Sequence, residues 1–563
     1  MMQDDLVQEK IKEELADLAA TDDEHIAEYV AEKNDLPYID LRMKAPDLDA
    51  LSEIPLADAE RLNIAAFKIF DRQLHIALND PTNPEVLQYL KDIERRSKKP
   101  VLYVASPKSM KHVYERYGDL DAAKKTIKSI VDLSESHLNE LLSGINTLEE
   151  FQREIENTTK NESRERTSKL IELTLAGAIS FGASDIHVEP EHDLTRIRFR
   201  IDGNLNDIYF TDSKTFELIN SRLKLLSGMK LSNHSTAQDG RFSINFAKQE
   251  IEMRVSLVPG AYGENYVMRI LDPRAANVPF DSLGMNANLL EILEKSLHKP
   301  FGMILTTGPT GSGKSTTLYA CLKRIHKTET KIITIEDPIE YHIDGITQTQ
   351  VDVKKEYTFL SGLRAALRQD PDAIMVGEIR DEDTAKVAIN AALTGHIVLS
   401  TLHTNSAAGA IPRLIDLGAD SKILGSALSL VMAQRLCRKL CPVCKVETIS
   451  TETESKAITN IIGEIVANQK EIKYSAQKEY KIYKASENGC DKCHGGYKGR
   501  VGIYEGVLMT REVEKVAVSG GGEHEIEDAA ASQGIHTMRE DGIIKILDGL
   551  TSFDEVAMVV EIY

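Results

Sequence analysis

Four residues of this 563-residue chain have the types and spacing to hold phosphate: Gly308, Gly313, Lys314 and Ser315, within GPTGSGKSTTLY. The pattern Gly-x4-Gly-Lys-Ser lets backbone N–H groups turn inward onto an anion, since glycine permits the tight turn and the close approach. The apolar run GMILTT before it reads as a buried strand, and LYACLKRIHK after it has helical spacing. A helix starting near Lys314 would add its positive end to the same anion. Lys314 is expected to reach the β- and γ-phosphates of a nucleotide and Ser315 to hold Mg²⁺. The candidate nucleotide-binding residues are therefore Gly308, Pro309, Thr310, Gly311, Ser312, Gly313, Lys314, Ser315 and Thr316.

Three downstream stretches could complete such a site. In DAIMVGEIRD, residues Ala373–Val376 read as a buried strand that delivers Gly377 and Glu378 at its tip. An acid there can hold Mg²⁺ or orient an attacking water. ITIEDPIEYH ends another strand with Glu336, Asp337 and Glu340. Three carboxylates this close repel unless a metal or basic groups offset them. They are either a solvated turn or a source of the carboxylate that activates water beside the γ-phosphate. TGHIVLSTLHTNSA places His396 and His403 on either side of a third buried strand. A lone histidine is more often structural, but His403 at a strand end could sense the γ-phosphate.

A second chemistry lies further on. Cys441-x2-Cys444 and Cys490-x2-Cys493 form two thiolate pairs, 45 residues apart. Together they can close a tetrahedral structural zinc site. The gap requires a small subdomain, about residues 437–500, to bring the pairs together. Redox or unligated thiols are the alternative. Cys321 and Cys437 read as ordinary cysteines, and His494 is not needed as a fifth ligand.

These residues need several domains to position them. The chain is too long for one core. From about residue 273 strands alternate with helices, which predicts a parallel sheet with crossovers. Residues 166–272 carry alternating strands. In TRIRFRIDG, Ile197, Phe199 and Ile201 fall on one face and Arg196, Arg198 and Arg200 on the other, as in a small α+β domain. Residues 121–165 turn polar and charged and read as helix plus flexible linker. Residues 1–120 mix helical and strand-like pieces.

Bulk properties exclude some functions. A net charge of −20 argues against sequence-independent nucleic-acid binding, which needs a basic footprint. No apolar run has the length to cross a membrane. The acidic, amphipathic start MMQDDLVQEKIKEEL lacks a signal pattern, and six cysteines in so long a chain do not suggest a disulfide framework. A cytoplasmic protein is expected.

In combination, TGPTGSGKSTTLY, TIEDPIEY, LRAALRQDPDAIMVGEIRD and TGHIVLSTLHTNSA resemble the hexameric motor ATPases of type IV pilus assembly and type II secretion. The resemblance spans residues 165–563 and, more weakly, 30–115. It implies a RecA-like α/β P-loop ATPase domain with a four-cysteine zinc subdomain, a small α+β, PAS-like domain before it, and an N-terminal α/β docking domain. It assigns Glu340 as catalytic glutamate, Glu378 as the Mg²⁺-associated glutamate and His403 as the functional histidine. It places Arg254 and Arg269 where arginines complete the nucleotide site, in the same subunit or a neighbouring one. The implied cofactors are ATP, Mg²⁺ and Zn²⁺. The implied partners are five further copies of the chain, completing a homohexamer, and an inner-membrane platform protein, with peripheral attachment to the inner face of the cytoplasmic membrane and no nucleic acid. Retraction motors of the family lack the cysteine quartet and the N-terminal extension, which favours an assembly motor. Some members bind a cyclic dinucleotide through an arginine-led repeat near the start. The opening here has no arginine and no such repeat, so that ligand is not expected. Pilus extension is the leading reading, with secretion as the alternative within the family. A nucleic-acid translocase and a non-hydrolysing scaffold are the readings outside it. Stimulation by nucleic acid would mark the first and absent turnover the second.

Overall fold

The computed structural model describes residues 23–42, 46–51, 53–70, 73–95, 99–117, 130–133, 137–138, 141–145, 147–159, 166–247, 249–276 and 278–562. The opening stretch, with its acidic character and missing arginine-led repeat, lies outside them up to residue 22. Two compact units divide chiefly between Ile270 and Leu271.

The first unit holds two sheets. Strands β1 (Ile64–Phe70), β2 (Gln73–Leu78) and β3 (Lys99–Val104) lie in that order, β1 antiparallel and β3 parallel to β2. The parallel pair needs a crossover, supplied by the helix Pro84–Arg95, which buries Val86 and Leu90 in the core with Ile64, Leu74 and Ile76.

The second sheet contains β4 (Ile130–Leu133), β5 (Ala183–Pro190), β6 (Leu194–Ile201), β7 (Asn204–Asp212), β8 (Gln238–Phe246), β9 (Gln249–Pro259) and β10 (Glu264–Leu271), ordered β4-β8-β9-β10-β5-β6-β7. Ile197, Phe199 and Ile201 are buried, and Arg196, Arg198 and Arg200 pair on the opposite face with Glu191, Glu189 and Asp185. Within the polar stretch 121–165, Ile130–Leu133 is a strand parallel to β8 and Leu148–Thr159 is a helix. The apolar residues Ile130, Val131 and Leu133 stand out from their charged surroundings, and Leu133 is fully buried.

The second unit is built on seven strands: β11 (Gly302–Thr307), β12 (Ile332–Glu336), β13 (Thr347–Gln350), β14 (Ala373–Val376), β15 (Ile397–Leu402), β16 (Leu428–Leu440) and β19 (Tyr497–Leu508). Their order is β13-β12-β14-β15-β11-β16-β19. All neighbours run parallel except β16 and β19, which are antiparallel. Every residue of β11, β12, β14 and β15 is buried, as expected of parallel strands covered on both faces. Ile304, Met375 and Leu399 pack with Leu289, Leu293, Leu318 and Leu322 of the helices Ala287–Leu297 and Lys314–Ile325. Their strand neighbours Met303, Leu305, Ile374, Val376 and Val398 face the other way, onto Leu363, Ala385, Ala388 and Ile389 of the helices Phe359–Ala366 and Glu382–Leu393. Between β16 and β19 the chain makes an excursion with the helix Glu452–Ala467 and the antiparallel pair β17 (Val446–Ile449) and β18 (Lys481–Lys484). Among the described residues no helix is long and apolar enough to cross a membrane.

Candidate functional site

The motif residues of the second unit collect at the carboxyl ends of its parallel strands, where open α/β sheets bind ligands. The glycine-rich loop follows β11, Glu340 lies in the loop after β12, Glu378 follows β14 and His403 follows β15. Because β15 lies between β14 and β11, Glu378 and His403 leave adjacent strands. His403 Nε2 stands 3.4 Å from Glu378 Oε2.

The loop is shaped for an anion by what packs behind it. Gly308, Gly311 and Gly313 have φ of 141°, 79° and 90°. Strand β16 pairs Met432 and Ala433 with Thr306 and Thr307, so its next two residues, Gln434 and Arg435, meet the loop itself. A Cβ on Gly308 would stand 2.5 Å from the Gln434 carbonyl oxygen, and one on Gly313 would stand 2.6 Å from Gln434 Nε2. Glycine is therefore required at both positions for sterics as well as backbone angle. Gln434 is locked in turn: Thr317, in the first turn of the helix after the loop, donates to its Oε1 at 2.8 Å.

Lys314 begins that helix, with its side chain almost wholly buried. Its ammonium donates to the carbonyls of Gly308 (2.8 Å) and Pro309 (3.0 Å). A lysine has three N–H donors, so these two bonds fix Nζ in the loop and leave one for a ligand. Burial holds its pKa below the ordinary lysine value. Arg435 pushes the same way, while Glu378 and Glu340 oppose both. The cation, the two candidate acids and an unforeseen arginine thus share one electrostatic field. Ser315 and Thr316 are half-buried beside Lys314, and the buried Ser312 hydroxyl has no hydrogen-bond partner. Glu378 pairs with Arg380 at 2.5 Å through Oε1, while its buried Oε2 accepts no hydrogen bond. An acceptor of this kind, in the electrostatic field of Lys314, is of the type that suits a hard cation such as Mg²⁺.

The three acids at the end of β12 and in the loop after it are not equivalent. Glu336 is buried and accepts from Tyr319 Oη, from Thr334 Oγ1 at 2.5 Å and from Gln348 Nε2 at 3.0 Å. Its oxygens are committed to holding β12 and its neighbours together. Asp337 is exposed, and Glu340 is half-buried within the field of Lys314. Mutual repulsion is thus relieved by giving one carboxylate to the core. His396 precedes β15, with Nδ1 3.1 Å from the Ala391 carbonyl, away from the acids.

Arg254 and Arg269 lie on β9 and β10 of the first unit. Arg254 Nε is 3.4 Å from Glu252, and Arg269, more than half exposed, is 3.1 Å from Asp185.

Sequence reasoning missed Gln434 and Arg435. A glutamine–arginine pair inside the otherwise apolar LSLVMAQRL was the available signal, because a buried polar group needs a partner.

The cysteine pairs meet because β16 and β19 meet. Leu440 pairs with Tyr497, so CPVC leaves one strand where CDKC enters the other. All four Sγ atoms lie within 4.8 Å of one another. Individual separations are 3.8 Å (Cys441–Cys490), 3.5 Å (Cys444–Cys493) and 3.6 Å (Cys490–Cys493). Four thiolates about 2.3 Å from a tetrahedral zinc would be about 3.8 Å apart, so the donor set fits that metal. Cys321 and Cys437 are buried in the core.

The parallel sheet, the loop at its carboxyl edge and the extra strand between β11 and β14 define a RecA-like P-loop nucleotide-binding protein. Residues 160–558 match the family model "Type II/IV secretion system protein" and residues 34–124 match "MshEN domain". The chain is 42% identical over 392 residues to the type II secretion system ATPase E of Vibrio cholerae, covering 69% of this chain and 75% of that one. It is 34% identical over 544 residues to the type IV pilus assembly ATPase PilB of Myxococcus xanthus, covering 96% and 92%. The crystal structure of the ATPase DotB of Yersinia pseudotuberculosis shares the fold, with a TM-score of 0.51 and 20% identity over 72% of this chain and 95% of that one. The chain belongs to the type II/IV secretion system family, whose named relatives here are ATPases of secretion and of pilus assembly.

Proposed function

We propose that the protein is a Mg²⁺-dependent ATPase that works as a homohexameric ring at the inner face of the cytoplasmic membrane and powers extension of a type IV pilus. The observation that carries the ATPase reading is the convergence of the phosphate loop, Glu340, Glu378 and His403 on one sheet edge around a single buried lysine. Lys314 binds the β- and γ-phosphates. Glu340 takes the proton of the attacking water. His403, beside Glu378, responds to the γ-phosphate. Ser315 and Glu378 would hold Mg²⁺, which supplies charge neutralisation on the phosphates. Arg254 and Arg269 act on the nucleotide as charge develops, from the same subunit or the next. Zinc on Cys441, Cys444, Cys490 and Cys493 is structural.

Pilus extension is supported by the reach of one relative: similarity to the pilus ATPase of Myxococcus xanthus runs through 96% of the chain, while the pilus ATPase of Pseudomonas aeruginosa and the secretion ATPase of Vibrio cholerae each align with 69%. In this reading residues 1–120 dock on an inner-membrane platform protein, residues 121–165 join them to the arginine-bearing domain at 166–272, and residues 273–563 hydrolyse ATP. Secretion is the second reading, since the 42% identity there is the higher of the two.

The test measures ATP turnover with and without Mg²⁺, native mass and zinc content on one sample, with pili counted on cells lacking the protein. Mg²⁺-dependent turnover in a six-subunit species with one zinc per chain, and cells without pili, is the expected result. Cells that keep pili but stop exporting proteins would move the assignment to secretion. An active monomer stimulated by nucleic acid would overturn the motor reading.

A further inference from the structure

The loop after β15 carries His403 and is held by three strands other than its own. At its start, Thr404 N donates to Thr307 Oγ1 at 2.8 Å, and the two hydroxyls are 2.7 Å apart. Thr307 is the last residue before the phosphate loop. One residue on, Arg435 of β16 donates from Nη2 to the Asn405 carbonyl at 2.9 Å. Two residues further, Ala407 N donates to Glu505 Oε1 of β19 at 2.7 Å, while Glu505 Oε2 accepts from Met538 N at 3.2 Å. The register of β16 and β19 places Ala433 opposite Glu505 and Arg435 opposite Ile503, so Arg435 and Glu505 are diagonal neighbours on one face.

We propose that Arg435 and Glu505 are positioning residues that hold the His403 loop against the phosphate loop, and that the strand pair rooted in the cysteine cluster thereby sets the geometry of ATP hydrolysis. The inference rests on the reading of His403 as a functional residue of that site. It goes beyond that reading by assigning roles to two residues outside every nucleotide motif.

Two features make the arrangement suited to positioning. Arg435 lies between the two loops: its Nη1 donates to the Gln434 carbonyl at 3.2 Å, close enough to Gly308 that a Cβ there would stand 3.1 Å away, and its Nη2 donates to the Asn405 carbonyl. The planar guanidinium can span two acceptors in fixed geometry, which a lysine ammonium on a flexible stem does not reproduce. Glu505 presents a carboxylate to the loop's backbone; burial raises its pKa, and the N–H groups of Ala407 and Met538, and more weakly the field of Arg435, oppose that rise. The pair keeps its counter-charges on adjacent strands, so displacing β16 against β19 disturbs both loop contacts together.

The experiment uses the full chain and measures kcat, KM and ATP affinity for Arg435→Met, Arg435→Lys, Glu505→Ala and Glu505→Gln, each alone and combined with His403→Ala. A misplaced catalytic group costs about ten- to a hundredfold in rate. Arg435→Met and Glu505→Ala are expected to lose kcat on that scale, with ATP affinity changed by less than about twofold. Glu505→Gln should recover part of the rate, because its amide oxygen still accepts from Ala407 N although its amide nitrogen cannot accept from Met538 N, whereas Arg435→Lys should not. Neither Arg435→Met nor Glu505→Ala should slow His403→Ala further. Loss of ATP affinity equal to the loss of rate would make Arg435 a direct phosphate contact and overturn the proposal, as would full additivity with His403→Ala. Normal turnover in His403→Ala would overturn the reading of His403 itself. Normal turnover in both Arg435→Met and Glu505→Ala beside a slow His403→Ala would overturn the positioning role alone. Should Arg435→Met fail to fold, Glu505→Ala and Glu505→Gln separate the same outcomes.

Discussion

The phosphate loop and the cysteine cluster both gather ligand groups at strand ends, by opposite means. The loop presents backbone N–H groups from consecutive residues, so its shape depends on backbone angles and on Gln434 behind it. The cluster uses four side chains from segments 45 residues apart, brought together by the register of β16 against β19. In the proposed reading the loop must grip and release a nucleotide in each cycle, whereas a zinc on the cluster would have only to hold β16, the strand that carries Gln434 and Arg435 to the loop. On that reading a contiguous site is tuned by one strand, and that strand is anchored by a non-contiguous one.

The largest effect expected at either end of this comparison is at Lys314. Lys314→Ala removes the buried cation of the loop and should cost at least about a hundredfold in ATP turnover. Steady-state phosphate release measures it, and a small loss would separate the loop from the chemistry. Next comes the cluster. Cys490→Ser, or removal of zinc with a chelator, should lower the metal content below one per chain and reduce the unfolding midpoint of the second unit, because metal affinity is linked to folding. Metal analysis and denaturant unfolding followed by far-UV circular dichroism read both. Turnover should fall less than in Lys314→Ala, since every group near the phosphates is still present. A collapse of equal size would mean the cluster does more than hold. The smallest effect on rate is expected at Glu336. Glu336→Gln weakens a buried network of three donors and should cost about 1–3 kcal/mol of stability. Turnover should stay within a few-fold of the parent. A large loss of rate with unchanged stability would make Glu336, rather than Glu340, the base of the chemistry.

Much of this site is legible in the sequence because its groups sit at strand ends. An apolar run followed by Gly-x4-Gly-Lys-Ser, by Gly377–Glu378 or by His403 marks where a buried strand delivers a polar group. The cysteine spacing gives the donor set equally directly. What is not legible is non-local. The burial of Glu336 against Tyr319 depends on how the helix after the loop packs on β12, and the roles of Gln434 and Arg435 depend on β16 lying next to β11 rather than elsewhere in the sheet. The strand at Ile130–Leu133 was hidden by the charge around it. Only its pairing with β8 gives that short apolar stretch a reason to be extended.

The most direct test of the central claim is single-turnover hydrolysis by Glu340→Gln, with ATP binding measured on the same preparation. The glutamine keeps the size of the side chain and removes its capacity to take a proton. ATP affinity close to the parent with hydrolysis at least about a hundredfold slower is the result expected if Glu340 activates water at the loop of Lys314. Hydrolysis near the parent rate would contradict it.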